Sequence, residues 1–178
     1  MRNNRDEKRP DSFYSAAVMY DAIIEFPKMK VAVTTNGDLV TGIKYLHPST
    51  PQKPPANALA ERAARQIERY REDPDTRFDL PVVVDGTELQ KAVWRAMCAI
   101  PRGKTRTYGD IAREFGGDPR EVGQACGDNR FPIVIPCHRV VAANGLGGFG
   151  HATSGFMLEA KRWLLAHECG ADAFELTP

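Results

Sequence analysis

The sequence predicts an α+β protein, with a small N-terminal antiparallel sheet and one helix followed by a mostly α-helical part. That second part contains a helix-turn-helix and a cysteine at a chain stop. Three observations predict this. Short β-rich runs with turn signals fill Asp21 to Tyr45. Helical periodicity with capping residues dominates from Asn57 onward. The apolar run Ile133-Val134-Ile135 ends at Pro136, directly before Cys137-His138. The 178 residues allow one large domain or two small ones, and a hydrophobic share of 42% is enough for a core. The expected division is a flexible arm at 1–12, an α+β domain at 13–84 and a second domain at 85–178.

Ala22-Phe26, Lys30-Thr34 and Leu39-Tyr45 read as strands of a meander, with Asn36-Gly37-Asp38 as a hairpin signal. His47 to Pro55 is a Pro-rich loop. Asn57 to Arg71 reads as a helix, with Leu59, Ala63, Ile67 and Tyr70 on one face, ended by Asp73-Pro74-Asp75. Phe78 to Val84 is a further strand candidate, interrupted by Pro81. Thr87 with Gln90 fits a capping box, so a helix starts there, with Leu89, Val93, Met97 and Ile100 as its stripe. Thr107 with Asp110 starts the next helix, with Ile111 and Phe115 facing inward, and Gly116-Gly117 breaks it. Asp118 caps another, with Pro119 at its first position. Two short helices joined by a glycine turn make a helix-turn-helix candidate. The last helix carries Met157, Leu158, Ala160, Leu164 and Leu165 on its apolar stripe.

Composition narrows the function. No apolar run approaches the roughly 20 residues needed to span a bilayer. Met1 to Ser12 is polar and charged, without the apolar stretch of a secretory signal. Cys98, Cys126, Cys137 and Cys169 show no CxxC spacing, so neither a zinc site nor a disulfide framework is expected, and free thiols suit a reducing cytosol. The formal net charge is only +1. Between Lys91 and Arg130, however, eight basic residues stand against five acidic ones, which suits weak, salt-sensitive attraction to phosphates. On charge alone an ordinary solvated surface is the better explanation.

The chemistry concentrates at Ile133-Val134-Ile135-Pro136-Cys137-His138-Arg139-Val140-Val141. The apolar run reads as a buried strand that Pro136 cannot continue, which would hold Cys137 at the edge of a core. A positioned thiol beside an imidazole is a candidate nucleophile, whereas a lone buried cysteine is more often a small hydrophobe. The whole nonapeptide, with its flanks, resembles the acceptor motif of the O6-alkylguanine-DNA alkyltransferases, also called methylated-DNA–protein-cysteine methyltransferases. The resemblance is close over about Gly86 to Gly170 and loose before it.

The resemblance implies roles residue by residue. Cys137 matches the alkyl acceptor. Its thiolate would attack the carbon attached to guanine O6, and a thiol of pKa about 8.5 needs a base to do so at neutral pH. His138 matches the proton acceptor, acting through a bridging water; otherwise it satisfies a local carbonyl. Glu168 matches the carboxylate that orients this histidine. Independently, it lies on the apolar stripe with Leu164 and Leu165, and a carboxylate aimed at a core needs a partner. Lys161 shares that stripe, so a local Lys–Glu pair is the competing explanation. Asn129 matches the asparagine bracing the turn before the cysteine; it also reads as a helix end.

Arg120 matches an intercalating finger that offsets the cost of flipping a nucleotide out of the stack, against the alternative of a surface phosphate contact. Tyr108 matches the tyrosine that rotates the nucleotide, against simple packing at a helix start. Pro136, Val140, Phe149 and Gly150 are the expected substrate pocket, with the carbonyls of Cys137 and Val140 accepting from the guanine amino group.

Two departures stand out. Phe149 replaces a pocket tyrosine found in many members. Gly150-His151-Ala152-Thr153-Ser154-Gly155 is longer than the compact pocket loop of the family, which leaves the accepted alkyl size open. His151 is a candidate pocket residue, with exposure at the surface as the preferred reading. Some members carry an N-terminal zinc, but this chain has no cysteine before Cys98 and only His47 there, so none is expected.

The resemblance therefore implies direct-reversal repair. A single, irreversible transfer would move the alkyl group of O6-alkylguanine, and of O4-alkylthymine as a secondary substrate, to Cys137. No cofactor is expected. The partner is duplex DNA, held through its minor groove with little sequence specificity, by a cytoplasmic (or, in a eukaryote, nuclear) monomer without membrane contact. One alternative is a non-catalytic sensor of alkylated DNA, although sensor relatives replace the acceptor cysteine. Another is a Cys137-His138-Glu168 hydrolase, which leaves the helix-turn-helix unexplained.

Overall fold

Short, β-rich apolar runs and two tight turns fold the first described segment into a meander. The computed structural model describes residues 19–170, and the arm expected at 1–12 lies outside them. Strands β1 (Ala22–Phe26), β2 (Met29–Asn36) and β3 (Leu39–Leu46) pair antiparallel in sequence order. The register sets Ile24 opposite Val31 and Val33 opposite Ile43. Met29 to Val33 is buried without a break, because the middle strand is covered on both faces. Helix α1 (Ala58–Glu72) packs on all three strands. Its cap is the Asn57 side chain, which accepts from the Ala60 N–H at 2.8 Å. Its buried face is Ala60, Ala63, Ala64, Ile67 and Tyr70, so Leu59 lies at the margin of the face and not in it.

The strand expected at 78–84 does not form. Val40 donates its N–H to the Pro81 carbonyl at 2.9 Å, and Val40 and Val82 make one isolated bridge. Pro81 has no N–H to extend the ladder, and Val83 is left 61% exposed.

Helix α2 (Glu88–Cys98) starts at the Thr87–Gln90 capping box. It buries Val93, Trp94 and Met97, and the Trp94 indole donates to the Ala125 carbonyl at 2.8 Å. Helices α3 (Tyr108–Phe115) and α4 (Pro119–Gly127) form the helix-turn-helix, each opened by its own capping box. Gly116, at φ 65°, closes α3 in the left-handed conformation. Ile111 and Ala112 carry the packing of α3. Phe115, expected inward, is 39% exposed where the chain turns away at Gly116.

Ile133-Val134-Ile135 is not a strand either. It is a turn, closed by the Ile135 N–H on the Phe131 carbonyl at 2.8 Å, with Ile133 at φ 73°. A β-branched residue in the left-handed region is a steric outlier that only the surrounding packing can hold. Phe131, Ile133 and Ile135 are all buried, so the apolar run reports burial and not strand pairing. A one-turn 3-10 helix, Cys137–Arg139, follows. Strand β5 (Val140–Val141) then pairs parallel with β4 (Arg106–Thr107), a staple that joins the start of α3 to the segment after Cys137. Helix α5 (Phe156–Cys169) closes the described chain. The N-terminal half packs directly on it: Phe26 meets Trp163 edge-on at 5.3 Å, and Tyr70 reaches Glu168. Among the described residues no helix is long and apolar enough to cross a membrane.

Candidate active site

Cys137 begins the 3-10 turn, 6% exposed, with its N–H donated to the Ile135 carbonyl at 2.9 Å. Asn129, just past the end of α4, holds the turn from both sides. Its amide donates to the Ile135 carbonyl at 2.8 Å, and its carbonyl accepts the Phe131 N–H at 2.9 Å. One side chain thus satisfies two backbone groups that a strand ladder would otherwise have to pair.

His138 is fully buried, and its Nε2 lies 2.8 Å from Glu168 Oε1. Glu168, brought from the last turn of α5, is 1% exposed. It also accepts from the Tyr70 hydroxyl at 2.8 Å and from Arg139 through Nε and Nη2, each at 2.9 Å. Burial alone would raise the Glu168 pKa, but the hydrogen bonds from His138 and Arg139 outweigh it and hold the carboxyl far below its usual range. An ionised Glu168 places the imidazole proton on Nε2, which leaves Nδ1 as an acceptor. Nδ1 is buried and has no protein partner. Burial also lowers the His138 pKa, against the raising effect of Glu168, so the ring is neutral at pH 7 and free to take a proton. The Cys137 thiol is raised by burial, with the Asn129 hydrogen bond and the Lys161 charge working in the opposite direction.

Lys161 does not pair with Glu168. It is fully buried, donates to the Val140 carbonyl at 2.7 Å and the Gly148 carbonyl at 2.9 Å, and lies 5.8 and 5.7 Å from the ring centroids of Tyr108 and Phe149. Desolvation brings its pKa down to about 8. The Tyr108 hydroxyl donates to the same Gly148 carbonyl at 3.1 Å.

Two cavities meet at Cys137. One, of about 320 Å3, opens on the helix-turn-helix between Tyr108, Arg120, Gly123 and the loop Gly148 to Thr153. The other, of about 520 Å3, runs toward β2 and β3 past Tyr45, Thr34 and Thr41. Phe149 and Gly150 line both. Pro136 and Val140, expected in the pocket, line neither. Pro136 is buried at the start of the 3-10 turn, and Val140 is locked in β5 with its carbonyl on Lys161. Pro132 lines the larger cavity instead. Arg120 is exposed on the first turn of α4, where it lines the smaller cavity. His151 is exposed and also lines both cavities, so it is at once a surface and a pocket residue, with its Nε2 3.1 Å from Asp128 Oδ1.

The structure thus brings Cys137, His138, Glu168 and Asn129 into one connected group and sets Arg120, Tyr108, Phe149 and Gly150 at its mouth. Tyr70, Arg139 and Lys161 complete it. Arg139 stood inside the quoted motif, and its charge beside a buried carboxylate was the available signal. Tyr70 gave none, since its hydroxyl meets Glu168 only through the packing of α1 on α5. Among the described residues no group of histidines, cysteines and carboxylates could hold a metal ion.

A family model described as the DNA-binding domain of 6-O-methylguanine DNA methyltransferase matches residues 88–170. A methylated-DNA–protein-cysteine methyltransferase of Methanosarcina barkeri is 37% identical over 158 residues, covering 84% of this chain and 97% of the relative. The crystal structure of Mycobacterium tuberculosis O6-methylguanine methyltransferase superposes with a TM-score of 0.68 at 29% identity, covering 88% of this chain and 96% of that one. The same organism's OGT in complex with DNA gives 0.67 at 33% identity, covering 83% and 91%. Similarity of this extent runs through both halves of the fold and includes the buried cysteine turn, and by it the chain belongs to the methylated-DNA–protein-cysteine methyltransferase family.

Proposed function

We propose that this chain repairs O6-alkylguanine in duplex DNA by a single, stoichiometric transfer of the alkyl group to Cys137. The observation that carries this reading is Cys137, chain neighbour of the buried His138 that pairs with Glu168, in the wall of a cavity that Arg120 and Tyr108 also line. Nδ1 of His138 takes the Cys137 proton through a water, for which an unpartnered buried acceptor is suited. The imidazolium so formed is stabilised by Glu168, whose own charge is held by Arg139 and Tyr70. The Cys137 sulfur then forms a bond to the alkyl carbon as the carbon–O6 bond breaks. The electron pair leaves on guanine, which takes up one proton. A thioether has no easy route back to the thiol, so each molecule acts once.

The base reaches the thiol only if it leaves the stack, at a cost of a few kcal/mol. Arg120, on the exposed first turn of α4, fills the vacated space, and Tyr108 flanks the path to Cys137. Docking is through the minor groove, with little sequence preference, and O4-alkylthymine is a secondary substrate. The protein acts as a monomer without a cofactor.

The test is to incubate the protein with duplex DNA containing O6-methylguanine and to weigh the intact protein. A gain of one methyl group, absent in Cys137→Ala, is expected. Lesion binding without a mass change would instead indicate a sensor, and multiple turnovers on an ester or peptide a hydrolase.

A further inference from the structure

We infer that the Tyr45 hydroxyl, brought by β3 from the N-terminal half, donates a hydrogen bond to the Cys137 sulfur once the thiol has lost its proton, and so helps to make the thiolate available near neutral pH. This rests on the reading of Cys137 as the nucleophile and goes beyond it in assigning a residue far from the cysteine motif.

Tyr45 and Cys137 stand in the wall of the same sheet-side cavity, 7% and 6% exposed. The Tyr45 ring packs on Phe149, which lines that cavity too, with the ring centroids 5.3 Å apart. The phenol oxygen is buried and has no hydrogen-bond partner among the protein atoms. An unpaired buried hydroxyl is destabilising, and native proteins pair nearly all such groups. His138 Nδ1, which receives the thiol proton, is in the same condition. Both atoms therefore belong to a site whose hydrogen bonds are completed only when the thiol ionises.

The other polar groups around the thiol are already committed. Lys161 donates to the Val140 and Gly148 carbonyls, the Tyr108 hydroxyl to that of Gly148, the Tyr70 hydroxyl to Glu168, and the Cys126 thiol to Met97 Sδ at 3.6 Å. The Asn129 amide and the backbone N–H groups of Cys137 and His138 favour the thiolate, yet burial still leaves the thiol pKa above its ordinary value. A further donor is what this thiol lacks. Burial pushes the Tyr45 pKa up, so the phenol keeps its proton, and the charge of Cys137 pushes in the same direction, which sets the two groups within electrostatic reach. A neutral thiol is a weak acceptor and leaves the O–H unpaired, whereas a thiolate is a strong one. The hydrogen bond forms as the proton passes from sulfur to His138.

The test is Tyr45→Phe, which removes the oxygen and keeps the ring. The rate at which iodoacetamide alkylates Cys137 from pH 6 to 10, read by peptide mass, reports the thiolate without DNA. Lys161, with a pKa of about 8, titrates in this window in parent and variant alike. Loss of a hydrogen bond to a charged group should move the midpoint upward by about one to two pH units. Single-turnover methyl transfer at pH 7.5 should fall only about 3–10-fold, because the less stabilised thiolate is also the more nucleophilic. Tm should hold or rise, since the hydroxyl has no partner to lose. Tyr45→Leu gives the same displacement of the midpoint should Tyr45→Phe fail to fold. An unmoved midpoint, or a Tm lowered by more than about 4 °C in Tyr45→Phe, overturns the inference. A midpoint that moves as expected in a protein that takes no methyl group from DNA upholds the inference and overturns the repair reading.

Discussion

Replacing Glu168 by glutamine tests the site at its most connected point. The carboxylate accepts four hydrogen bonds, from His138, Tyr70 and twice from Arg139, while 1% exposed. Glutamine keeps the shape but removes the charge and turns one acceptor into a donor facing the Arg139 guanidinium, itself only 14% exposed. Breaking a buried pair by neutralising one partner costs about 3–5 kcal/mol. For a chain of this length each kcal/mol moves Tm by roughly 2–4 °C, so a fall of roughly 6–20 °C is expected at pH 7.5. The His138 ring also loses the acceptor that fixes its proton on Nε2, and alkyl transfer should slow by about 10²–10⁴-fold, the usual worth of a positioned base.

The carboxyl pKa is lowered by folding, so its stabilisation is present above the unfolded value of about 4.3 and is lost as pH falls through the lower folded value. The gap between parent and variant must therefore narrow as pH falls below about 4.3. Thermal unfolding from pH 3 to 8, with single-turnover transfer at pH 7.5, measures both. A Tm within about 2 °C of the parent at pH 7.5, or a rate within about threefold, refutes the account of Glu168 as the anion that holds this site together.

Three further outcomes follow from the same geometry. His138 has a folded pKa below its unfolded value, so the unfolded chain takes up a proton first as pH falls through about 6.5. The urea midpoint should drop between pH 8 and pH 5.5, and a flat profile over that window contradicts the buried neutral ring. Asn129→Ala leaves the Ile135 carbonyl and the Phe131 N–H without their partner, which should cost about 2–4 kcal/mol by urea unfolding. A loss under about 0.5 kcal/mol would mean that the cysteine turn holds itself. Arg120→Ala, at an exposed position, should leave stability within about 0.5 kcal/mol while slowing repair in duplex DNA far more than reaction with free O6-benzylguanine. Equal slowing of both rules out a role in flipping.

Much of this molecule could be read before any coordinates. The capping boxes at Thr87, Thr107 and Asp118 depend on residues three apart, and each helix begins where its box lies. The hairpin at Asn36–Asp38 is equally local. The strand expected at 133–135 failed for a physical reason: continuous burial looks the same in a strand and in a packed turn. What selects the turn is Asn129, four residues upstream of the first of these isoleucines, whose amide takes the backbone groups a neighbouring strand would have used. The strand expected at 78–84 failed because Pro81 left only one bridge to β3.

The sequence alone singled out Cys137 and His138 as the candidate nucleophile and base, because a proline stop followed by Cys137-His138 lies within three consecutive positions. It also placed Glu168 on the inner face of α5, since helical periodicity is a property of spacing. The tertiary structure decided what Glu168 meets. Lys161, one of its two candidate partners, points instead to the carbonyls of Val140 and Gly148, while Arg139 and the Tyr70 hydroxyl converge on the carboxylate from the cysteine turn and from α1. Those contacts join residues up to 98 positions apart, and no local pattern records them. The two cavities at Cys137 are likewise a product of packing, because a cavity is the space that several elements leave unfilled.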